Sequence, residues 1–126
     1  MLKNLLLIGT GGFIGSVARY LVSRLNTHVD WLAVPAGTLA VNILGSLVIG
    51  FLMGIAEKSP LLTVELRMFL MVGLCGGFTT FSTFAGENLT LMRNGQFLAL
   101  FLYTGLSILL GFTAVYLGFI STRLLN

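Results

Sequence analysis

Apolar residues dominate four stretches, at residues 4–25, 34–55, 64–92 and 97–117, each near the roughly 20 residues that an α-helix needs to cross a bilayer. The connections at 26–33, 56–63 and 93–96 suit short membrane turns. The polar positions inside these stretches are sparse but regular. Gly11, Gly15 and Arg19 stand four apart in the first, and Thr38, Asn42, Ser46, Gly50 and Gly54 do so in the second. Tyr103, Ser107 and Gly111 repeat the spacing in the fourth. Each set therefore lies on one face of a helix.

The third stretch is longer than one crossing needs. Its middle reads Gly73-Leu74-Cys75-Gly76-Gly77-Phe78-Thr79-Thr80-Phe81-Ser82-Thr83-Phe84. Adjacent glycines weaken a helix by roughly 1 kcal/mol each relative to alanine. The hydroxyls that follow can capture the backbone groups a break would free. Irregular backbone survives in a membrane only inside protein or beside a wet cavity. The stretch therefore predicts a discontinuous membrane helix whose break is the functional centre. Phe81 and Phe84 then share a face with hydroxyls, and a phenyl ring carries positive potential at its edge.

Composition narrows the class. Of 126 residues, 56% are hydrophobic and 9% charged, against about 25% charged in a soluble domain. The mean hydropathy is +1.00. A single cysteine, Cys75, excludes an internal disulfide and is expected to pack. The net charge of +3 rests on scattered residues, so nucleic-acid binding is not indicated. These features predict an all-α integral membrane protein, residues 1–126 forming one four-helix domain.

Two imitations fall away. Lys3, the following apolar run and Ser16-Val17-Ala18 resemble a signal peptide, but the rest of the chain spans membranes as well. The first glycines imitate a dinucleotide loop, but their spacing is G-x-G-x-x-x-G and no βαβ unit follows. Close helix packing explains them better. Arg19 shares their stripe, so it either points into protein or snorkels to the interface. Trp31 fits an interfacial anchor, and His28 beside it is a lone loop histidine. Gly105 and Gly111, with Gly118 past the end of the fourth stretch, also predict close packing.

The carboxylates Asp30, Glu57, Glu65 and Glu87 all fall toward segment ends. Cation channels and proton-coupled carriers usually hold one inside a span. Hydroxyls, an amide and phenyl edges favour a small anion instead. An even number of spans puts Lys3, Lys58, Arg67 and Arg123 on one side, and Arg24 and Arg93 on the other. That bias is weak under the positive-inside rule, so the chain could insert both ways. Four short helices enclose little space, so a homodimer is the expected unit.

Residues 76–84, with Gly37-Thr38-Leu39-Ala40-Val41-Asn42, Glu87, Tyr103 and Ser107, resemble the Fluc (CrcB) family of bacterial fluoride channels over the whole chain. The resemblance implies four-helix subunits in antiparallel, dual-topology homodimers of the inner membrane, passively exporting fluoride and refusing chloride. It implies that Phe81 and Phe84 contact fluoride, that Asn42 is the pore amide, and that Thr38, Ser82, Thr83, Tyr103 and Ser107 line a polar path. Arg19 would attract anions at a vestibule, and Glu87 would sit near the pore. A structural sodium ion would be held at the dimer centre by the Gly76 and Thr79 carbonyls. Phe78 and Gly111 depart from the family pattern, where an aliphatic residue and a hydroxyl are expected.

Two other classes compete. A dual-topology exporter of the small multidrug type would need a glutamate in its first span, and there is none. A non-transporting assembly factor would explain the small-residue stripes but not the alternation of hydroxyls and phenyl rings. No catalytic constellation points to an enzyme.

Overall fold

The computed structural model describes residues 1–24 and 33–125; His28, Asp30 and Trp31 lie outside the described residues. The chain forms α1 (Leu2–Arg24), α2 (Ala36–Lys58), α3 (Val64–Arg67), a wider-wound segment at Met68–Cys75, α4 (Gly76–Phe78), α5 (Phe81–Arg93) and α6 (Phe97–Ser121). Four stretches are long and apolar enough to cross a membrane: Leu2–Arg24, Ala36–Lys58, Val64–Arg93 and Phe97–Leu124. The fourth runs past residue 117, so Gly118 lies inside α6.

The start of the third stretch is capped by Thr63, whose Oγ1 accepts the Leu66 N–H at 3.3 Å. At Met68–Cys75 the backbone bonds reach one residue further than in an α-helix, as the Gly76 N–H to the Met71 carbonyl illustrates. Such winding is rare and concentrates at functional positions. The helical torsions end beyond the paired glycines. Thr79 (φ −78°, ψ 154°) and Thr80 (φ −149°, ψ 119°) are extended, and α5 then begins at Phe81.

The glycines serve a different purpose from the departure itself. A Cβ on Gly77 would sit 2.6 Å from the Gly12 carbonyl, and one on Gly73 would sit 2.8 Å from the Ile8 carbonyl. A Cβ on Gly15 would run into the Leu74 carbonyl, and one on Gly11 into the Phe69 carbonyl. These four residues let α1 and the first half of the third stretch meet backbone to backbone. Gly50 and Gly118 do the same for α2 and α6, against Val115 and Leu47. Gly105 meets nothing within 4 Å, so it is no packing residue.

Two apolar clusters hold the helices. Leu52, Leu62 and Cys75 form one; Leu91, Ala99 and Tyr103 form the other, with Phe84 packed against it. Much of the remaining apolar surface faces outward, including Phe13, Phe101 and Phe112. The surface totals 8115 Å². A compact soluble monomer of this mass would expose roughly 6,600 Å². The four spans therefore make an open sheaf whose outer faces suit lipid or another protein. At one end Lys3 meets Glu65 at 3.2 Å, and Lys58 donates to the Thr122 carbonyl at 2.9 Å.

Candidate functional site: two cavities meeting at Thr80

Extended backbone in an apolar setting leaves N–H and C=O groups that need partners. Asn42, on α2, supplies them for Thr80. Its Oδ1 accepts the Thr80 N–H at 2.8 Å, and its Nδ2 donates to the Thr80 carbonyl at 3.1 Å. The side-chain amide thus pairs with Thr80 as a neighbouring strand would. Nδ2 carries two hydrogens, so one remains to donate elsewhere. Thr80 in turn caps α5: its Oγ1 accepts the Thr83 N–H at 3.2 Å.

The carbonyls just before the extended pair divide into two sets. Cys75 O accepts both the Thr79 N–H at 3.0 Å and the Thr79 hydroxyl at 2.9 Å. Gly77 O accepts from Arg19 Nε at 3.1 Å. Arg19 therefore points into protein, drawn by a carbonyl that has no helical partner. Among the described residues no hydrogen bond reaches the carbonyls of Gly76 or Thr79. Gly76 is exposed, and a Cβ there would meet only Met71 O at 3.9 Å. Two free carbonyls at an open position have the oxygen chemistry that a hard cation prefers. Clusters of three or more His, Cys, Asp or Glu able to hold a metal are absent among the described residues.

The candidate residues fall into two separate cavities. A groove of about 510 Å³ is lined by Asn42, Ser46, Thr79, Phe81, Phe84 and Ser107, with Gly45, Gly76 and Gly111 among its other walls. The Phe81 and Phe84 rings are 5.8 Å apart, and Phe84 continues to Tyr103 at 5.0 Å. Phe81 is 79% exposed on the rim. Ser107 Oγ is buried in the wall and has no hydrogen-bond partner among the described residues. The second cavity, about 340 Å³, is lined by Ser16, Arg19, Tyr20, Thr38, Thr83 and Glu87. Thr80 lines both.

Glu87 sits mid-way along α5, toward the end of the third span, and lines the second cavity. Thr38 donates to its Oε1 at 2.6 Å and Tyr103 to its Oε2 at 2.7 Å. One hydroxyl on each oxygen spreads the carboxylate charge. Tyr103 is fully buried and stands behind the site, its hydroxyl already committed to Glu87. Ser82 is exposed and lines neither cavity; its Oγ lies 3.4 Å from Thr80 Oγ1.

Thr80, Ser16 and Ser46 were not among the residues singled out for the site. Ser46 carried a signal, since it continues the Thr38–Asn42 stripe. Thr80 carried one as a hydroxyl of the Gly73–Phe84 motif, but not the part its own backbone plays in pairing with Asn42.

The model of the family described as CrcB-like protein, Camphor Resistance (CrcB), matches residues 6–119. The chain belongs to the CrcB family. It is 47% identical over 120 residues to the fluoride-specific ion channel FluC of Chlorobium chlorochromatii, covering 95% of this chain and 92% of that one. The FluC of Azobacteroides pseudotrichonymphae is 43% identical, with 98% of both chains covered. That of Elusimicrobium minutum is 43% identical over 126 residues, covering 99% of this chain and 98% of the relative. CrcB kinship and four apolar spans together make this a multi-pass membrane protein.

Proposed function

We propose that this chain is the subunit of a passive, fluoride-selective channel of the bacterial inner membrane, which exports fluoride, refuses chloride and performs no catalysis. The observation that carries the reading is the groove wall. There Asn42 holds the extended Thr80, two phenyl rings stand beside it, and Ser107 keeps a buried hydroxyl without a partner. The near full-length relatives bear the name fluoride-specific ion channel.

The physics runs from the ion outward. Fluoride is small and strongly hydrated, so a pathway must replace the donors of water. The Ser107 hydroxyl and the second Asn42 N–H are neutral donors able to do so. The edges of Phe81 and Phe84 add weak positive potential without a full charge. Conduction needs sites that the ion can leave, and neutral donors hold an anion less tightly than a ring of arginines. Chloride is larger and more weakly hydrated, so it gains less from the same donors. Arg19 in the second cavity draws anions toward the protein. Glu87, with a hydroxyl on each oxygen, organises Thr38 and Tyr103.

The working unit is an antiparallel homodimer. The third span is read as a discontinuous membrane helix, and Phe81 and Gly76, both exposed in the single subunit, line the groove that a second copy would close. The weak charge asymmetry of the loops permits insertion in both orientations. A structural sodium ion fits the Gly76 and Thr79 carbonyls of two facing copies. When bound it would neutralise acceptors that the chain itself leaves without donors. Ser82, exposed in one subunit, belongs to the lining that the partner completes.

Purified protein in liposomes, followed with a fluoride electrode, is expected to release fluoride fast and chloride hardly at all. Comparable chloride release, or silence toward fluoride, would end the reading. Replacing sodium with a large organic cation is expected to loosen the dimer; indifference to that exchange would remove the sodium site.

A further inference from the structure

Hydroxyl side chains on membrane-spanning helices normally satisfy themselves. Here Thr10 donates to Leu6 O at 2.6 Å, Thr90 to Gly86 O at 3.2 Å, and Thr113 to Leu109 O at 2.6 Å. Ser23, Ser121 and Thr122 likewise donate to carbonyls of their own helices. A hydroxyl has one donor hydrogen, so these residues have none left for an ion. Four helical serine and threonine hydroxyls donate to no partner among the described residues: Ser16, Ser46, Thr83, which only accepts from Thr80, and Ser107. Each of the four lines one of the two cavities.

Ser46 is the informative one. It lies one helical turn beyond Asn42 on α2, across the groove from Gly111 on α6. A Cβ built on Gly111 would lie 3.9 Å from Ser46 Oγ, an ordinary contact distance. The α6 wall carries a donor at Ser107 but none one turn further on, where Gly111 stands. Ser46 reaches that gap from the opposite helix with its hydrogen uncommitted. We propose that Ser46 is a further ion-contacting residue, which continues the donor series from Asn42 and Ser107 toward the α3 end of the groove and supplies from α2 the hydroxyl that α6 lacks at Gly111. This inference rests on the fluoride-channel reading and adds a specificity-determining residue to it.

The test uses the full-length protein in liposomes with a fluoride electrode. Ser46→Ala should lower fluoride flux roughly tenfold, as expected for losing one hydrogen bond to a charged group. A Cβ at Gly111 meets only Ser46 Oγ, at ordinary contact distance, and S46A removes that atom, so the double variant S46A/G111S should recover most of the flux. S46A/G111A should not, because it restores volume without a donor. Thr113→Val, which removes a hydroxyl already spent on its own helix, should conduct as the wild type does. Wild-type flux in S46A overturns the proposal and leaves the channel reading intact. Loss in S46A that G111A rescues as well as G111S overturns it too, since packing rather than donation would then explain the loss. A wild-type protein that passes no fluoride overturns the channel reading, and this inference with it.

Discussion

Asn42 carries two burdens that a single residue rarely combines. It satisfies both backbone groups of Thr80, lines the groove, and retains one N–H to donate. Asn42→Asp keeps an acceptor for the Thr80 N–H but sets a negative oxygen against the Thr80 carbonyl. Fluoride flux is expected to fall on the order of a hundredfold, about 3 kcal/mol at the barrier, with thermal stability lowered as well. Flux near wild type would remove the amide from the pathway. Phe81 offers the opposite case. At 79% exposure it contributes little to packing within the subunit. Phe81→Ile is therefore expected to abolish most fluoride flux while leaving the thermal unfolding midpoint of the subunit nearly unchanged. Equal loss of both would make Phe81 a structural residue.

The elements are joined by glycine contacts, and these differ from one another in what they can tolerate. A side chain at Gly15 must displace the Leu74 backbone, whereas one at Gly105 enters open space. Gly15→Ala is expected to destabilise by ~1–3 kcal/mol, the usual consequence of overpacking. Gly105→Ala should instead stabilise by up to about 1 kcal/mol through helix propensity. Thermal unfolding in detergent distinguishes them, and equal behaviour would refute the packing assigned to α1. At the same scale, the extended Thr79–Thr80 pair links its two flanking helices and is supported from outside by α2, through Asn42.

The whole molecule is an open sheaf with a groove on one face, and a second copy is the proposed means of closing it. If copies insert in opposite directions, a cysteine placed at Lys58 should react with an impermeant reagent from each side of the membrane in roughly half of the molecules. The native Cys75 is buried and should stay silent. Labelling from one side alone would rule out dual topology. The two cavities add a constraint of their own. Arg19 and Glu87 belong to one and the phenyl rings to the other, so any ion path using all of them must pass Thr80 or cross to the partner.

Much of the fold is legible in the sequence. Four spans follow from lengths of apolar sequence, since a bilayer allows few alternatives to a helix that satisfies its own backbone. The stripes at spacing four put Thr38, Asn42 and Ser46 on one face, because helical periodicity is a local property. Which carbonyl each polar group would find was not local. Arg19 could have reached solvent, and its bond to Gly77 depends on α1 lying against the third stretch. The paired glycines Gly76 and Gly77 keep helical torsions, and the extended residues are Thr79 and Thr80. The missing side chain of Gly77 admits α1, while Asn42 stabilises the extended Thr80 from another helix. Local sequence thus determined the spans and their polar faces. Tertiary structure alone decided which freed backbone groups were answered, and which hydroxyls kept a hydrogen to offer, because hydrogen bonds between helices depend on distances that no single helix sets.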